Sequence, residues 1–282
     1  MARRGSDFAG SWYPAKASDC ERSIEEFSRV GPPCPPGGLG GIVPHAGWLY
    51  SGAISCRVVK CLSTGFLPDT MIIFGRHLHP SSPNYLMKKG SWATPFGDLE
   101  IDEELGEKLS LEFAFRIETA DRYEPDNTIE VQLPFIKYFF PNSKILPVGV
   151  PPNPASLKIG ERVVELAESL GRKTMVLGST DLTHYGSNYG FNPKGTGDRA
   201  VEWVKKENDK RLVDLILHMD PIGVIHESLR NHNACCAGAV ASAVTAARRL
   251  GAERAEKLIY STSYDIMPDT SFVGYAGVIF LS

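Results

Sequence analysis

The sequence predicts an α/β protein: one mixed β-sheet with helices on both faces, in a single domain spanning residues 1–282. From residue 41 onward, short apolar runs of strand length alternate with stretches of helical period. Such alternation builds a sheet covered on both sides. The last two strand-like runs, "KLIYSTSY" and "SFVGYAGVIFL", are separated by six residues, "DIMPDT", which suits a hairpin-type loop and makes the sheet mixed. With 282 residues and 43% hydrophobic content, the chain can bury a full core.

Taken in order, "SDCE" at 18 to 21 reads as a capping box in which Ser18 bonds forward and Glu21 back, ahead of an amphipathic helix carrying Ile24, Phe27 and Val30. "GPPCPPGGLGG" breaks that helix as a surface connection, since too little chain precedes it to build a core. Strands follow at "GIV", "MIIF" (71 to 74), "KILPVGV" (144 to 150) and "TMVLG" (174 to 178). Between and after them, helical patterns run near 51 to 61, 103 to 112, 128 to 140, 155 to 170, 199 to 217, 221 to 229 and 236 to 250. "GSWATPFGDLEID" (90 to 102) reads as a small excursion of strand and turn, interrupted by Pro95 and Gly97.

The bulk properties exclude several function classes. Formal charge is −3 with Lys and Arg scattered, so nothing predicts the phosphate neutralisation that nucleic-acid binding needs. No apolar run approaches the roughly 20 residues that cross a bilayer. The start "MARRGSDFAG" lacks the apolar segment of a secretory signal. A soluble, cytoplasmic protein without membrane contact is expected. The six cysteines form no CxxC pair and no disulfide framework, which fits a reducing compartment. HExxH, GxSxG and GxxxxGK[ST] are missing from the sequence, and "GGLGG" precedes its strand instead of following it. Zincin, α/β-hydrolase, P-loop and dinucleotide chemistry are therefore disfavoured.

Three predicted strands end alike. "IVPHAG" delivers His45, "IIFGRHLH" delivers His77 and His79, and "VLGSTDLTH" delivers Asp181 and His184. Ligands of open α/β sheets bind in the crevice beyond the carboxyl ends of the strands. A lone histidine after a strand is more often a turn residue, but three such ends point to a shared site, and imidazole is the usual ligand for Zn, Cu or Fe. Asp181 and His184 would meet on one face if a helix starts there, the carboxylate either capping it or orienting the imidazole as a general base. Asn127 and Glu130 in "DNTIE" form a plausible capping box. Cys235 and Cys236 open the small-residue stretch "AGAVASAVTAA". A thiolate at a helix N-terminus can bind metal, and neighbouring helical residues point about 100° apart, so one of the two is expected to face the site. His218, His226 and His232 sit on predicted helices without a partner at ligand spacing, and the first two read as surface or core residues.

"FAGSWYPA", "VPHAGWLYSG", "TIEVQLPF", "STDLTHYG" and the cysteine before a small-residue helix together resemble the Memo-like family, in order and spacing along nearly the whole chain. The resemblance implies a three-layer α/β/α fold with a central mixed, mainly parallel sheet, like that of class III extradiol dioxygenases. It also implies a metal site of two histidines and a cysteine holding iron or copper, where the related dioxygenases use two histidines and a carboxylate. His45 matches the first ligand. The second aligns with His77, with His79 as the alternate, because "FGRHLHP" departs from the family's Gly-Pro-polar-His. Cys235 matches the third, with Cys236 as the alternate.

Many relatives carry histidine where Asn127 stands, while Glu130, Asp181 and His184 keep their matches, and Trp12 and Tyr13 match a motif near the same pocket. The implied function is a metal-dependent redox enzyme in which His184, oriented by Asp181, is the acid/base and Glu130 lines the pocket. Thiolate in place of carboxylate shifts preference toward softer ions and away from catechol cleavage. The alternative is a binding module for a peptide or partner protein around a vestigial or structural metal, since family members are linked to phosphotyrosine peptides and to radical-SAM protein partners. Zinc-dependent hydrolysis is a third reading, because His and Cys also suit tetrahedral Zn.

Overall fold

The computed structural model describes residues 2–29 and 31–282. Val30, expected on the first helix, lies outside the described residues. The first half of the chain forms β1 (Arg3–Arg4), α1 (Ala17–Ser28), β2 (Gly38–Val43), α2 (Trp48–Leu62), β3 (Thr70–Gly75), β4 (Asn84–Met87), β5 (Ser91–Trp92), β6 (Leu99–Glu100), α3 (Glu103–Glu112), β7 (Phe115–Glu118), α4 (Asn127–Glu130) and α5 (Leu133–Phe139). Then come β8 (Lys144–Gly149), α6 (Pro154–Ser169), β9 (Thr174–Ser179), β10 (His184–Tyr185), α7 (Asp198–Trp203), α8 (Asp209–Leu217), α9 (Pro221–Asn231), α10 (Ala237–Arg249), β11 (Arg254–Thr262), α11 (Ser263–Ile266) and β12 (Phe272–Leu281).

The large sheet has the order β10-β12-β2-β9-β3-β8-β4-β7, with β11 also paired to β12. Its centre, β2, β9, β3 and β8, is parallel. These strands are buried almost throughout, which is why they read as continuous apolar runs without alternation. β12 lies antiparallel to β2, and β4 antiparallel to β8, so the sheet is mixed at both flanks. Helices α1, α2 and α5 pack on one face, and α3, α6, α9 and α10 on the other. This is the expected three-layer α/β/α fold with a central mixed sheet. A small second sheet, β1-β5-β6, contains the strand-and-turn excursion.

Several elements differ from expectation for local reasons. α1 begins at Ala17, because the Lys16 carbonyl already accepts from the Asp19 and Cys20 amides; the Ser18–Glu21 capping box does not form. The glycines of "GGLGG" belong to β2, not to the break before it: a Cβ at Gly40 or Gly41 would sit 2.4 Å from the carbonyl oxygens of Val176 or Val278. The stretch 128 to 140 is two helices, interrupted near Gln132, whose side-chain Nε2 donates to the Pro44 carbonyl. The stretch 199 to 217 is broken by a wide helical turn at Val204–Asn208. β4 and β7 were not legible, being four residues each without clear alternation.

Cys34 and Cys61 form a disulfide with Cα atoms 4.9 Å apart, against the expectation of thiols throughout. Their spacing of 27 belongs to no motif, so the pairing is visible only once α2 folds back beside the loop that precedes β2. No helix among the described residues is long and apolar enough to cross a membrane.

Candidate metal centre

Because β9 lies between β2 and β3, the three chemistry-bearing strand ends are immediate neighbours. Val43 pairs with Ser179 at the last rung of β2 and β9, and this register sets the first ligand. Two residues beyond β2, the His45 ring puts Nδ1 2.9 Å from the Ser179 hydroxyl, leaving Nε2 to face the crevice. Its backbone amide donates to Asp181 Oδ1 at 2.7 Å, and its carbonyl accepts from Asn127 Nδ2 at 3.1 Å. His45 is thus held at three points before any ligand arrives, the kind of outer support that orients a metal-binding imidazole.

His77 leaves β3 through Arg76, whose φ of +81° turns the chain out of the strand. That conformation is uncommon for a side chain with a Cβ. It is fixed by ion pairs at 2.8 Å from Arg76 to both Glu118 and Glu124, and by the Tyr85 ring beneath the guanidinium. His77 therefore projects beside His45, their rings edge to face with centroids 4.9 Å apart. His79 does not join them; it is exposed, and its Nδ1 bonds locally to the Ser81 hydroxyl.

Both cysteines of "NACCAG" reach the site, contrary to the expectation that only one would. The 100° rule does not apply, because α10 starts at Ala237 and Cys236 caps it with φ −130° and ψ 54°. The Cys235 amide donates to the Asp181 carbonyl and the Cys236 amide to the Thr180 hydroxyl, stitching this segment to the end of β9. Cys235 Sγ lies 3.2 Å from His45 Nε2 and 3.8 Å from Cys236 Sγ. Cys236 Sγ is 3.4 Å from His77 Nδ1. One ligand atom from each of the four residues falls within a 4.8 Å span. Two imidazole nitrogens and two sulfurs, with one ring oriented from behind, fit a transition-metal ion.

The electrostatics suit a cation at this point. Burial pulls the His45 imidazolium down, but the Asp181 carboxylate and the Cys235 sulfur outweigh it and raise the group to about 9. Burial likewise opposes ionisation of Cys235, yet contacts with Cys236, His45 and His77 take its thiol well below the ordinary value. Cys236 is pushed the other way, by burial and by the sulfur of Cys235. These opposed shifts favour the thiolate form at Cys235 over Cys236 and the charged form of His45 beside it.

A cavity of about 680 Å³ opens above His45 and His77, lined also by Asp181, His184, Asn127 and Trp12. A second, of about 630 Å³, reaches Cys235 from the other side and contains His79 and His232. His184 and Tyr189 stand in the walls of both, their rings edge to face at 4.9 Å.

Asp181 and His184 do not form the expected dyad. Residues 180 to 183 run extended along β12, with the Leu182 amide donating to the Gly274 carbonyl, so no helical face brings the two side chains together. Asp181 supports the backbone of His45 instead. Burial raises its carboxyl, while His45 and His184 pull it back.

Glu130 neither caps a helix nor lines the cavity. Asp126 is the cap, accepting from the Thr128 amide. Glu130 is fully buried and accepts from the Asp7 and Phe8 amides and from the Tyr13 hydroxyl at 2.7 to 3.0 Å. It ties down the N-terminal segment that presents Trp12 to the cavity, while Tyr13 packs away beneath Trp48. Sequence reasoning missed Ser179, and also the loop between β11 and β12, which contributes Ser263, Met267, Asp269 and Ser271 to the cavity. The polar cluster "DIMPDTS" was the available signal.

The chain is similar to known proteins along most of its length. Residues 4–279 match the family described as Memo-like protein. A MEMO1 family protein of Pyrococcus abyssi is 36% identical over 285 residues, covering 96% of this chain and 97% of its own. A second, from Pyrococcus furiosus, is 34% identical over 283 residues and covers 96% of each. Among solved structures, an uncharacterized protein from Escherichia coli K12 is similar with a TM-score of 0.50 at 13% identity, over 85% of this chain and 98% of that one; this likeness concerns the fold alone. With a family match over nearly its full length and relatives above 30% identity along almost all of both chains, the chain belongs to the Memo-like family.

Proposed function

We propose that this protein is a metal-dependent redox enzyme acting on a small molecule, with His45, His77 and Cys235 holding iron or copper. The observation that carries the reading is the convergence of imidazole and thiolate ligand atoms within 4.8 Å at the base of a cavity large enough for a small organic substrate. A bound iron or copper ion would supply one-electron chemistry. Ser179 orients the His45 ring through Nδ1, and Asp181 anchors its backbone amide. His184, which lines both cavities, would take or give a proton to a bound molecule. Cys235 and Cys236 are free thiols and so available as ligands, whereas the Cys34–Cys61 disulfide speaks against a strictly reducing setting.

One observation favours the binding-module reading as the second choice. The cavity rim carries exposed apolar side chains, Leu49 at 69%, Met267 at 59% and Tyr189 at 47%, which a peptide or partner segment could cover. The discriminating experiment is metal analysis of protein purified without added metal, alongside His45→Ala and Cys235→Ala. Stoichiometric iron or copper, lost in both variants, is the expected result. A folded protein free of metal would overturn the redox reading and leave the binding module. Stoichiometric zinc would replace redox chemistry with hydrolysis.

A further inference from the structure

We infer that Cys236 is a fourth metal ligand, so that the centre is a closed tetrahedron of two histidines and two cysteines. This rests on the metal-centre reading above but departs from its set of two histidines and one cysteine. A tetrahedral ion with sulfur at about 2.3 Å and nitrogen at about 2.0 to 2.1 Å requires sulfur–sulfur edges of about 3.8 Å and sulfur–nitrogen edges of about 3.6 Å. Three of the six edges already stand near such separations, 3.8 Å between the two sulfurs, 3.4 Å from Cys236 to His77 and 3.2 Å from Cys235 to His45, and all four ligand atoms lie within 4.8 Å of one another.

The placement of Cys236 does not depend on an ion. Its amide is held by the Thr180 hydroxyl, and Gly238 seats the first turn of α10 directly on the Pro151 backbone, where a Cβ would lie 2.4 Å from the carbonyl. The chain is not yet helical at Cys236, so both sulfurs turn to the same side. A cysteine that only filled the core would have no need to bring Sγ to a histidine nitrogen.

Two consequences follow from a second thiolate. The ligand set moves toward soft or borderline cations and away from a two-histidine, one-anion iron site. The ion also loses its open position, since closed four-ligand sites leave none for substrate. Of the four ligands, His77 is the exposed one, so it is the ligand that a molecule entering the cavity would displace.

The test uses the full chain loaded with Co(II) and with Zn(II), reading sulfur-to-cobalt charge-transfer absorbance and the number of sulfur neighbours by X-ray absorption. Two sulfurs are expected in the wild type. Cys236→Ser should show one sulfur, about half the charge-transfer intensity, and affinity weakened by more than about tenfold, the lower end of what losing even an outer partner costs. One sulfur in the wild type, or an unchanged Cys236→Ser spectrum, overturns the fourth ligand while leaving the three-ligand centre standing. Failure of the wild type to bind either ion overturns both. If Cys236→Ser does not fold, the wild-type sulfur count alone decides.

Discussion

Arg76 shows how much of this site depends on a residue that touches no substrate. Its left-handed backbone, which costs about 1 to 2 kcal/mol for a residue with a Cβ, is held by a buried ion pair to Glu118 and a more exposed one to Glu124, and aims His77 at the other ligands. Arg76→Ala keeps the strained backbone and leaves Glu118 buried with only Arg4, 3.4 Å away, to balance it. The expected loss is about 3 kcal/mol, in the range for breaking one side of a buried pair, together with weaker metal binding; urea unfolding and a metal titration check the two parts. An unchanged metal affinity would mean that Arg76 matters for stability alone. At this scale the sequence made His45 legible, because a histidine after an apolar run and a proline stands out. Ser179 was not legible, since what it does depends on its pairing across from Val43, and strand register is not written in either strand by itself.

Among the elements, α10 has the most to do with function. Its small residues are explained by close packing: a Cβ at Gly160 of α6 would sit 2.5 Å from the Ser242 carbonyl of α10, and the Ser242 hydroxyl donates to the Ser156 carbonyl. The helix is therefore pressed between α6 and the sheet, and its N-terminal end is delivered to the strand tips within a narrow tolerance. Gly238→Ala should push that end off Pro151. The expected cost is about 1 to 3 kcal/mol, as for other overpacked positions, with reduced metal occupancy in the protein that still folds; thermal unfolding and metal content measure them. Sequence period located α10 to within one residue at either end, but helical geometry was extended one residue too far back. That single step made Cys235 and Cys236 look like alternatives when the chain presents both.

For the molecule as a whole, one buried carboxyl is expected to shape the response of stability to pH. Asp209 is fully buried where the wide turn at Val204–Asn208 meets α8, accepting from the Thr183 amide and the Tyr260 hydroxyl. Burial pushes it from 3.8 up to about 6, against the pull of those hydrogen bonds. The folded state therefore holds this proton more tightly than the unfolded chain, and the stability so contributed is complete below about pH 4 and lost as pH rises through about 6. Two units correspond to about 3 kcal/mol at most. Asp209→Asn should flatten that part of the stability curve between pH 4 and 7, measured by urea unfolding at each pH; an unaltered slope would assign it to other groups.

The fold class was legible because a parallel core needs uninterrupted apolar strands, and β3, β8 and β9 supply them. β4 and β7 were not, because four residues each are too few to show a period, and β7, the outer of the two, is of mixed polarity. That same mixed polarity has a consequence for assembly. β7 at one border of the sheet carries Arg116, and β11 at the other carries Arg254, Glu256 and Lys257, with a register irregularity between Lys257 and Ile259. An outer strand offers unsatisfied amides and carbonyls to any extended segment of another molecule, and charges and bulges along it oppose that templating. Of these two borders only β7 is illegible in the sequence, yet the charges on both and the irregularity in β11 oppose the addition of another molecule's strand.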